Sequence, residues 1–313
     1  MTQRRLDIIT TGGTIASRSE GPMVPGEQLV SHVRKFFPDT EFNVHEICRK
    51  GSNQITTDLL WGIGSQVKKS FKDGANGVVI THGTDTLEET AYFLDLIAGP
   101  LGPIVVTGSM REFDSASPDG LANLVESCKV ALEPVSAEYG VLVVMNDRIH
   151  LAREVTKVHS WLVDAIESPG VGPVGYAGKH GVKYTVKPLD RVHVEYTALV
   201  PPVDLIKAGL DSGARPIRAL IEARSRGLVV ESLGHGHLPP GLTECLVSAV
   251  KSNVPVVITT RCLSGGAPNP GTITESGFVT TDLSGAKARI KLMLALSVTN
   301  EPEEIAKMFA QYP

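Results

Sequence analysis

The chain has 313 residues, 42% of them apolar, which is enough for a sizeable core and favours two domains over one. Thirty lysines and arginines against 34 aspartates and glutamates leave a net charge of −4; with no long basic tract, the pattern excludes nucleic acid as a partner. No apolar run is long enough to span a bilayer, which excludes a membrane-spanning role, and "MTQRRLDIITTGG" runs from two arginines into a strand without an apolar leader core, so the expected compartment is the cytoplasm.

Short apolar runs alternate with amphipathic stretches. "LDIIT" (6–10), "GVVIT" (77–81), "PIVVTG" (103–108) and "GVLVVMN" (140–146) are apolar throughout, as strands buried on both faces should be. Helices are expected over 56–71, 86–98 and 118–133; in the second, Leu87, Ala91, Leu94, Ile97 and Ala98 share a face. The Gly-, Pro- and Val-rich stretch 164–195 reads as a β-hairpin region closing the first domain. The pattern restarts near 202, with strands at "VDLIKAG", "GLVVES" and "PVVITT" and helices over 215–226, 241–252, 284–298 and 301–310. Alternating β and α elements predict an α/β fold: a larger N-terminal parallel-sheet domain over 1–195, a linker at 196–201 and a smaller C-terminal α/β domain over 202–313. Cys48, Cys128, Cys245 and Cys262 are far apart and form no CxxC, so buried free thiols are expected.

In an open α/β sheet, ligands bind beyond the carboxyl ends of the strands. The residues just after the first-domain strands are Thr11-Gly12-Gly13-Thr14, Gly51-Ser52-Asn53, His82-Gly83-Thr84-Asp85-Thr86 and Gly108-Ser109-Met110-Arg111. They are rich in glycine and hydroxyls, with neither a His/Cys ligand cluster nor a Walker pattern. A strand tip feeding a helix offers unpaired N–H donors and a positive dipole end. Thr84, Asp85 or Thr86 can serve simply as an N-cap, with Glu88 or Glu89 in the first turn, but one hydroxyl suffices for that. Donors, hydroxyls and one carboxylate together suit a small polar zwitterion, with a hydroxyl attacking a carbonyl whose oxyanion the donors hold. The hydroxyl needs a base. Lys157, in the polar run after the fourth strand, is either that base, oriented by Asp85, or a solvated surface charge.

"TTGGTIAS" (10–17) and "THGTDTLEETAYFLDL" (81–96) resemble the two signature segments of bacterial-type L-asparaginases, the asparaginase/glutaminase family. The similarity continues through "GSMREFDSASPDGLANL" (108–124), "GVLVVMNDRI" (140–149), "REVTK" (153–157) and "GPVGY" (172–176), and more weakly through the second domain. The resemblance implies hydrolysis of L-asparagine to L-aspartate and ammonia, often with some glutaminase activity, and no metal or organic cofactor. It also implies a homo-oligomer, a dimer of intimate dimers, in which the C-terminal domain contributes to the neighbouring subunit's site. By position, Thr14 corresponds to the presumed nucleophile and Thr84 to the second catalytic threonine. Lys157 is the base of Thr84, and Asp85 lies beside them and binds the substrate α-amino group. Ser52 would bind the α-carboxylate, with Asn53 where many relatives have glutamine; Ser109 stands where a small residue turns its carbonyl to the amide. Gly13 and Gly83 belong to the same substrate-binding loops.

Three family features are altered. Relatives carry a lid tyrosine soon after the first motif, and here none precedes Tyr92. The "GNGN" supplied by the neighbouring subunit reads Gly234-His235-Gly236-His237, which puts His237 where an asparagine would touch substrate. The glutamate that assists the tyrosine has Glu275 as its nearest counterpart. His235 and His237 therefore remain open between a metal pair, a surface loop and a substrate contact. His82 is expected to pack under its loop, Arg111 and Asp119 to be scaffold, and Glu154 to be a surface or interface charge. Glutamine or another small amide as substrate, or a weakly active asparagine or aspartate sensor, are the alternative readings.

Overall fold

The computed structural model describes residues 4–187 and 191–311. Contacts divide the chain into two compact units, Met1–Leu189 and Asp190–Pro313.

The first unit is built on an eight-stranded sheet. Its strands are β1 (Arg4–Gly12), β2 (Thr40–Lys50), β3 (Gly77–Thr81), β4 (Ile104–Thr107), β5 (Val141–Met145), β6 (Arg148–Leu151), β9 (Gly175–Gly178) and β10 (Gly181–Tyr184), in the order β10-β9-β6-β5-β4-β3-β1-β2. The pair β7 (Thr156–Lys157) and β8 (Ile166–Glu167) forms a separate two-stranded ribbon. From β2 through β5 every pairing is parallel, whereas β6, β9 and β10 add antiparallel strands at one edge. The 175–184 hairpin thus extends the main sheet, and the sheet is mixed. Its central strands β3, β4 and β5 are buried at every residue, which is why they read as unbroken apolar runs.

Four helices cover the sheet: α1 (Gly26–Arg34), α2 (Thr57–Lys72), α3 (Leu87–Ala98) and α4 (Gly120–Ala131). Alternation along β1 sends Leu6 and Ile8 into the core with α1 and α4, and Asp7 toward Ser70 of α2. Each fully buried Leu or Ile there contributes roughly 1.5–3 kcal/mol of transfer free energy. Stacked Tyr139 and Tyr184, 4.1 Å apart, close the hairpin end, and Tyr139 OH donates to Val186 O at 2.8 Å.

The second unit carries an all-parallel sheet ordered β11 (Val203–Lys207), β12 (Gly227–Ser232), β13 (Val256–Thr260) and β14 (Val279–Thr280). Its helices are α5 (Arg215–Glu222), α6 (Pro240–Lys251), α7 (Gly285–Ala295) and α8 (Pro302–Ala310). Leu228 and Val230 of β12 and Ile258 of β13 pack with Ile217, Leu242 and Leu246 in one core.

All four cysteines are free, but only Cys128 is buried; Cys48 and Cys245 are half-buried and Cys262 is exposed. Cys262 follows β13 in a bend, where no core reaches it. Among the described residues, no helix is long and apolar enough to cross a membrane.

Candidate active site

The carboxyl ends of β1 to β4 converge. At the β1 tip, Gly13 adopts φ 81° and leads into a 3-10 turn, Thr14–Ala16. Ala16 N donates to Gly13 O and Ser17 N to Thr14 O, both at 3.0 Å, and Ser17 Oγ donates to Gly13 O at 3.1 Å. Thr14 is therefore half-buried on a turn closed by its own backbone. Gly13 N donates to Lys50 O at 2.9 Å, which ties this turn to the β2 tip. A Cβ on Gly13 would overlap the backbone of Gly83, and a Cβ on Gly83 would come 2.9 Å from Ser52 Oγ. Three loops thus touch through backbone that only glycine allows. Ser52 is buried, while Asn53 beside it is exposed.

The β4 tip joins through Gly108, whose Cα faces His82 O and the Thr84 methyl. Ser109 is fully buried, and its hydroxyl donates to Arg111 O at 2.7 Å. The Asp119 carboxylate accepts from Met110 N and Arg111 N at 3.0 and 2.9 Å, and Asn123 Nδ2 donates to Gly108 O at 3.0 Å. Asp119 and Arg111 thus bond within the loop between β4 and α4.

Thr86 occupies the N-cap position of α3, but its hydroxyl makes no bond into the helix. It donates instead to Ser52 O at 3.0 Å, so a plain helix cap does not explain this loop. Glu88 and Glu89 in the first turn complement the dipole.

Lys157 lies on the short strand β7, not in a solvated loop. Its Nζ is 2.8 Å from Thr84 Oγ1 and 2.7 Å from Asp85 Oδ1. The lysine side chain is only 16% exposed, whereas that of Asp85 is 68% exposed. The amine end is thus held on a buried hydroxyl, with a carboxylate that reaches toward solvent. Beneath the loop, His82 is fully buried. Its Nδ1 lies 2.8 Å from Gly83 O and its Nε2 3.0 Å from Thr90 Oγ1. A carbonyl only accepts, so Nδ1 carries the proton. Burial pushes the imidazole down to about 4, and a neutral ring adds no charge beside Thr84.

Glu154 pairs with Arg153 at 2.8 Å and is largely covered. Tyr92 is fully buried within α3, so it does not stand in for a lid phenol. Glu275 is exposed in a turn of the second unit. There, His237 pairs with Leu233 through N–H to O bonds of 3.0 and 2.9 Å, closing a tight loop that leaves His235 and His237 exposed. Among the described residues, no group of three or more His, Cys, Asp or Glu side chains is arranged to hold a metal ion.

Two interactions have no local sequence signal. The Glu88 carboxylate accepts from Thr156 Oγ1 and Lys157 N. The Asp114 carboxylate accepts from Ser19 N and Ser19 Oγ. Each joins segments more than sixty residues apart, where spacing carries no information.

Fold and site together define a two-unit α/β protein with a hydroxyl–amine–carboxylate constellation at its strand tips. The family model "Asparaginase, N-terminal" matches residues 5–190, and "Glutaminase/Asparaginase C-terminal domain" matches residues 202–309. The chain is 34% identical to L-asparaginase 2 of Bacillus subtilis (strain 168), over 97% of this chain and 86% of that protein. It is 32% identical to L-asparaginase 2 of Escherichia coli (strain K12), over 98% and 93% of the two chains. A crystal structure of a probable cytoplasmic L-asparaginase from Campylobacter jejuni superimposes with a TM-score of 0.91 at 31% identity, covering 99% of this chain and all of that one. The chain belongs to the asparaginase/glutaminase family.

Proposed function

We propose that this protein is an amidohydrolase that converts L-asparagine to L-aspartate and ammonia through a threonine nucleophile, and that it works in the cytoplasm. The observation that carries the reading is the contact of Lys157 Nζ with both Thr84 Oγ1 and Asp85 Oδ1, in a chain of this family. As the neutral amine, Lys157 accepts the Thr84 proton, which makes that oxygen nucleophilic or lets it relay a proton from Thr14. A threonine oxygen bonds to the carboxamide carbon, the C–N bond breaks, and the nitrogen leaves with the transferred proton as ammonia. Water then hydrolyses the ester and restores the hydroxyl. Asp85 orients the amine, and its exposed carboxylate also pairs with the substrate α-ammonium. Ser52 and Asn53 receive the α-carboxylate, and the Gly13, Gly83 and Ser109 backbone lines the amide. His237 touches substrate from a neighbouring subunit of a dimer of intimate dimers.

The test is ammonia release from asparagine, glutamine and other small amides by the wild type and by Thr14→Ala, Thr84→Ala and Lys157→Met. Asparagine turnover is expected, with loss of roughly 10²–10⁴ in kcat when the base is removed. Turnover of other amides alone would move the substrate, and tight aspartate binding without ammonia release would make the protein a sensor. Undiminished kcat in Lys157→Met would remove the lysine from the mechanism.

A further inference from the structure

The base proposed above stands on a weak platform. Strand β7 is two residues long and, among the described residues, pairs with the two-residue β8, a ribbon that Val158 N extends by donating to Ala165 O at 2.8 Å, apart from the eight-stranded sheet. A two-stranded ribbon of this size has little stability of its own. Yet the Lys157 amine must be held to a fraction of an ångström against Thr84, 73 residues away in sequence. A base displaced by about 1 Å can lose 10²-fold in rate.

The link is the carboxylate of Glu88. One of its oxygens, Oε2, accepts from Thr156 Oγ1 at 2.6 Å and from Lys157 N at 2.8 Å. It thus grips the side chain of one residue of β7 and the backbone of the next. Glu88 sits in the first turn of α3, four residues after Thr84 and three after Asp85. The helix that begins at the hydroxyl and carboxylate therefore also holds the strand that delivers the amine. We infer that Glu88 is a positioning residue for the hydrolysis: it clamps β7 to the start of α3 and so sets the contact between Lys157 and Thr84. It acts on proton transfer through Lys157 and makes no contact with substrate. This inference rests on the lysine-base reading of the proposed function.

A first-turn glutamate also complements the helix dipole, so a purely structural role must be separable. Three variants, Glu88→Ala, Glu88→Gln and Lys157→Met, and the double variant Glu88→Ala/Lys157→Met do this in an asparagine assay. Glu88→Ala is expected to lower kcat by about 10–100-fold while KM stays within about threefold, because the interaction serves the chemical step. The glutamine amide oxygen can still accept both bonds, so Glu88→Gln should recover most of the loss. Once Lys157 is gone the clamp has nothing to position, and Glu88→Ala should cost less than about twofold more. Unchanged kcat in Glu88→Ala, an equal loss with Lys157 absent, or a glutamine variant no better than alanine would each overturn the inference. Should Glu88→Ala fail to fold, Thr156→Val removes one donor and keeps the carboxylate. A kcat loss that disappears without Lys157 supports the clamp; no loss, or one that persists, overturns it. If Lys157→Met itself keeps full kcat, the base reading falls; if only the Glu88 variants are silent, that reading stands without the clamp.

Discussion

Acid should destabilise the first unit well before its carboxylates titrate, because two buried histidines are held uncharged. His82 is pushed down to about 4 from an ordinary 6.5 by burial. His150, in β6, is also lowered to about 4, by burial first and then by the charge of Arg148; its Nδ1 lies 2.9 Å from Ser168 Oγ. Both side chains have essentially no solvent exposure. As pH falls below 6.5 the unfolded chain takes up these protons while the native state does not, so stability is intact above pH 6.5 and is lost progressively toward pH 4. Two values of about 4 and 6.5 give about 2 kcal/mol per histidine between pH 7 and pH 5, or about 4 kcal/mol together. Denaturant titrations at pH 7, 6 and 5 read this directly through the fluorescence of Trp61 and Trp161, both in the first unit. His150→Asn keeps a hydrogen-bonding nitrogen near Ser168 but cannot titrate, so it should lose about 2 kcal/mol less than the wild type over that span. Equal stability of the wild type at pH 7 and pH 5, or an unchanged acid loss in His150→Asn, would refute the reasoning.

Other consequences follow from the loop contacts. Gly13→Ala must relieve an overlap with the Gly83 backbone at φ 81°, so a loss of roughly 1–3 kcal/mol and a fall in asparagine turnover are expected by thermal melting and ammonia release. Thr86→Val removes the bond to Ser52 O without uncapping α3; it should raise KM for asparagine and leave far-UV circular dichroism unchanged. His237→Ala should raise KM more than it lowers kcat in steady-state assays, and an unchanged KM would take His237 out of the substrate site.

Much of the fold is legible because buried parallel strands announce themselves. "GVVIT" becomes β3 at the predicted residues, and "GLVVES" becomes β12. The strand that leads into Ser52 has no such signature. β2 runs eleven residues as "TEFNVHEICRK", with only Phe42 buried. Among the described residues it pairs with β1 alone, at the sheet edge, so polar and charged residues are tolerated there. Lys157 shows the other limit. Its motif places it beside Thr84 by resemblance, but composition and spacing leave it open between base and surface charge. What spacing does not carry is the packing, which covers most of the side chain and sets the amine 2.8 Å from the hydroxyl. The Glu88 clamp is invisible for a related reason: first-turn glutamates are ordinary in helices, and nothing local distinguishes one that also holds a strand 68 residues on.

The segment after Thr14 is where the family resemblance leads one to expect a lid tyrosine, and it holds none; hydrogen bonds restrain it. Val24 N donates to Ala16 O at 2.7 Å, and Phe113 N donates to Ser17 O at 2.8 Å. Gly26 N donates to Glu46 at 2.9 Å, and Asp114 accepts from Ser19 N and Oγ at 3.0 and 3.1 Å. The Ser19 N–H holds the Asp114 carboxyl below its usual range, so this latch stays ionised at neutral pH and weakens only as pH falls below the ordinary carboxylate value of 3.8. The Ser19–Asp114 contact consists of hydrogen bonds to a solvent-facing carboxylate, which exchange readily with water. Removing the latch should therefore change how often the segment opens more than it changes global stability. Asp114→Ala is expected to speed tryptic cleavage after Arg18 and to raise KM for asparagine, with the melting temperature nearly unchanged. Asp114→Asn, which retains one acceptor, should fall between the two. Cleavage at Arg18 no faster in Asp114→Ala than in the wild type would mean that the backbone bonds alone hold the segment shut.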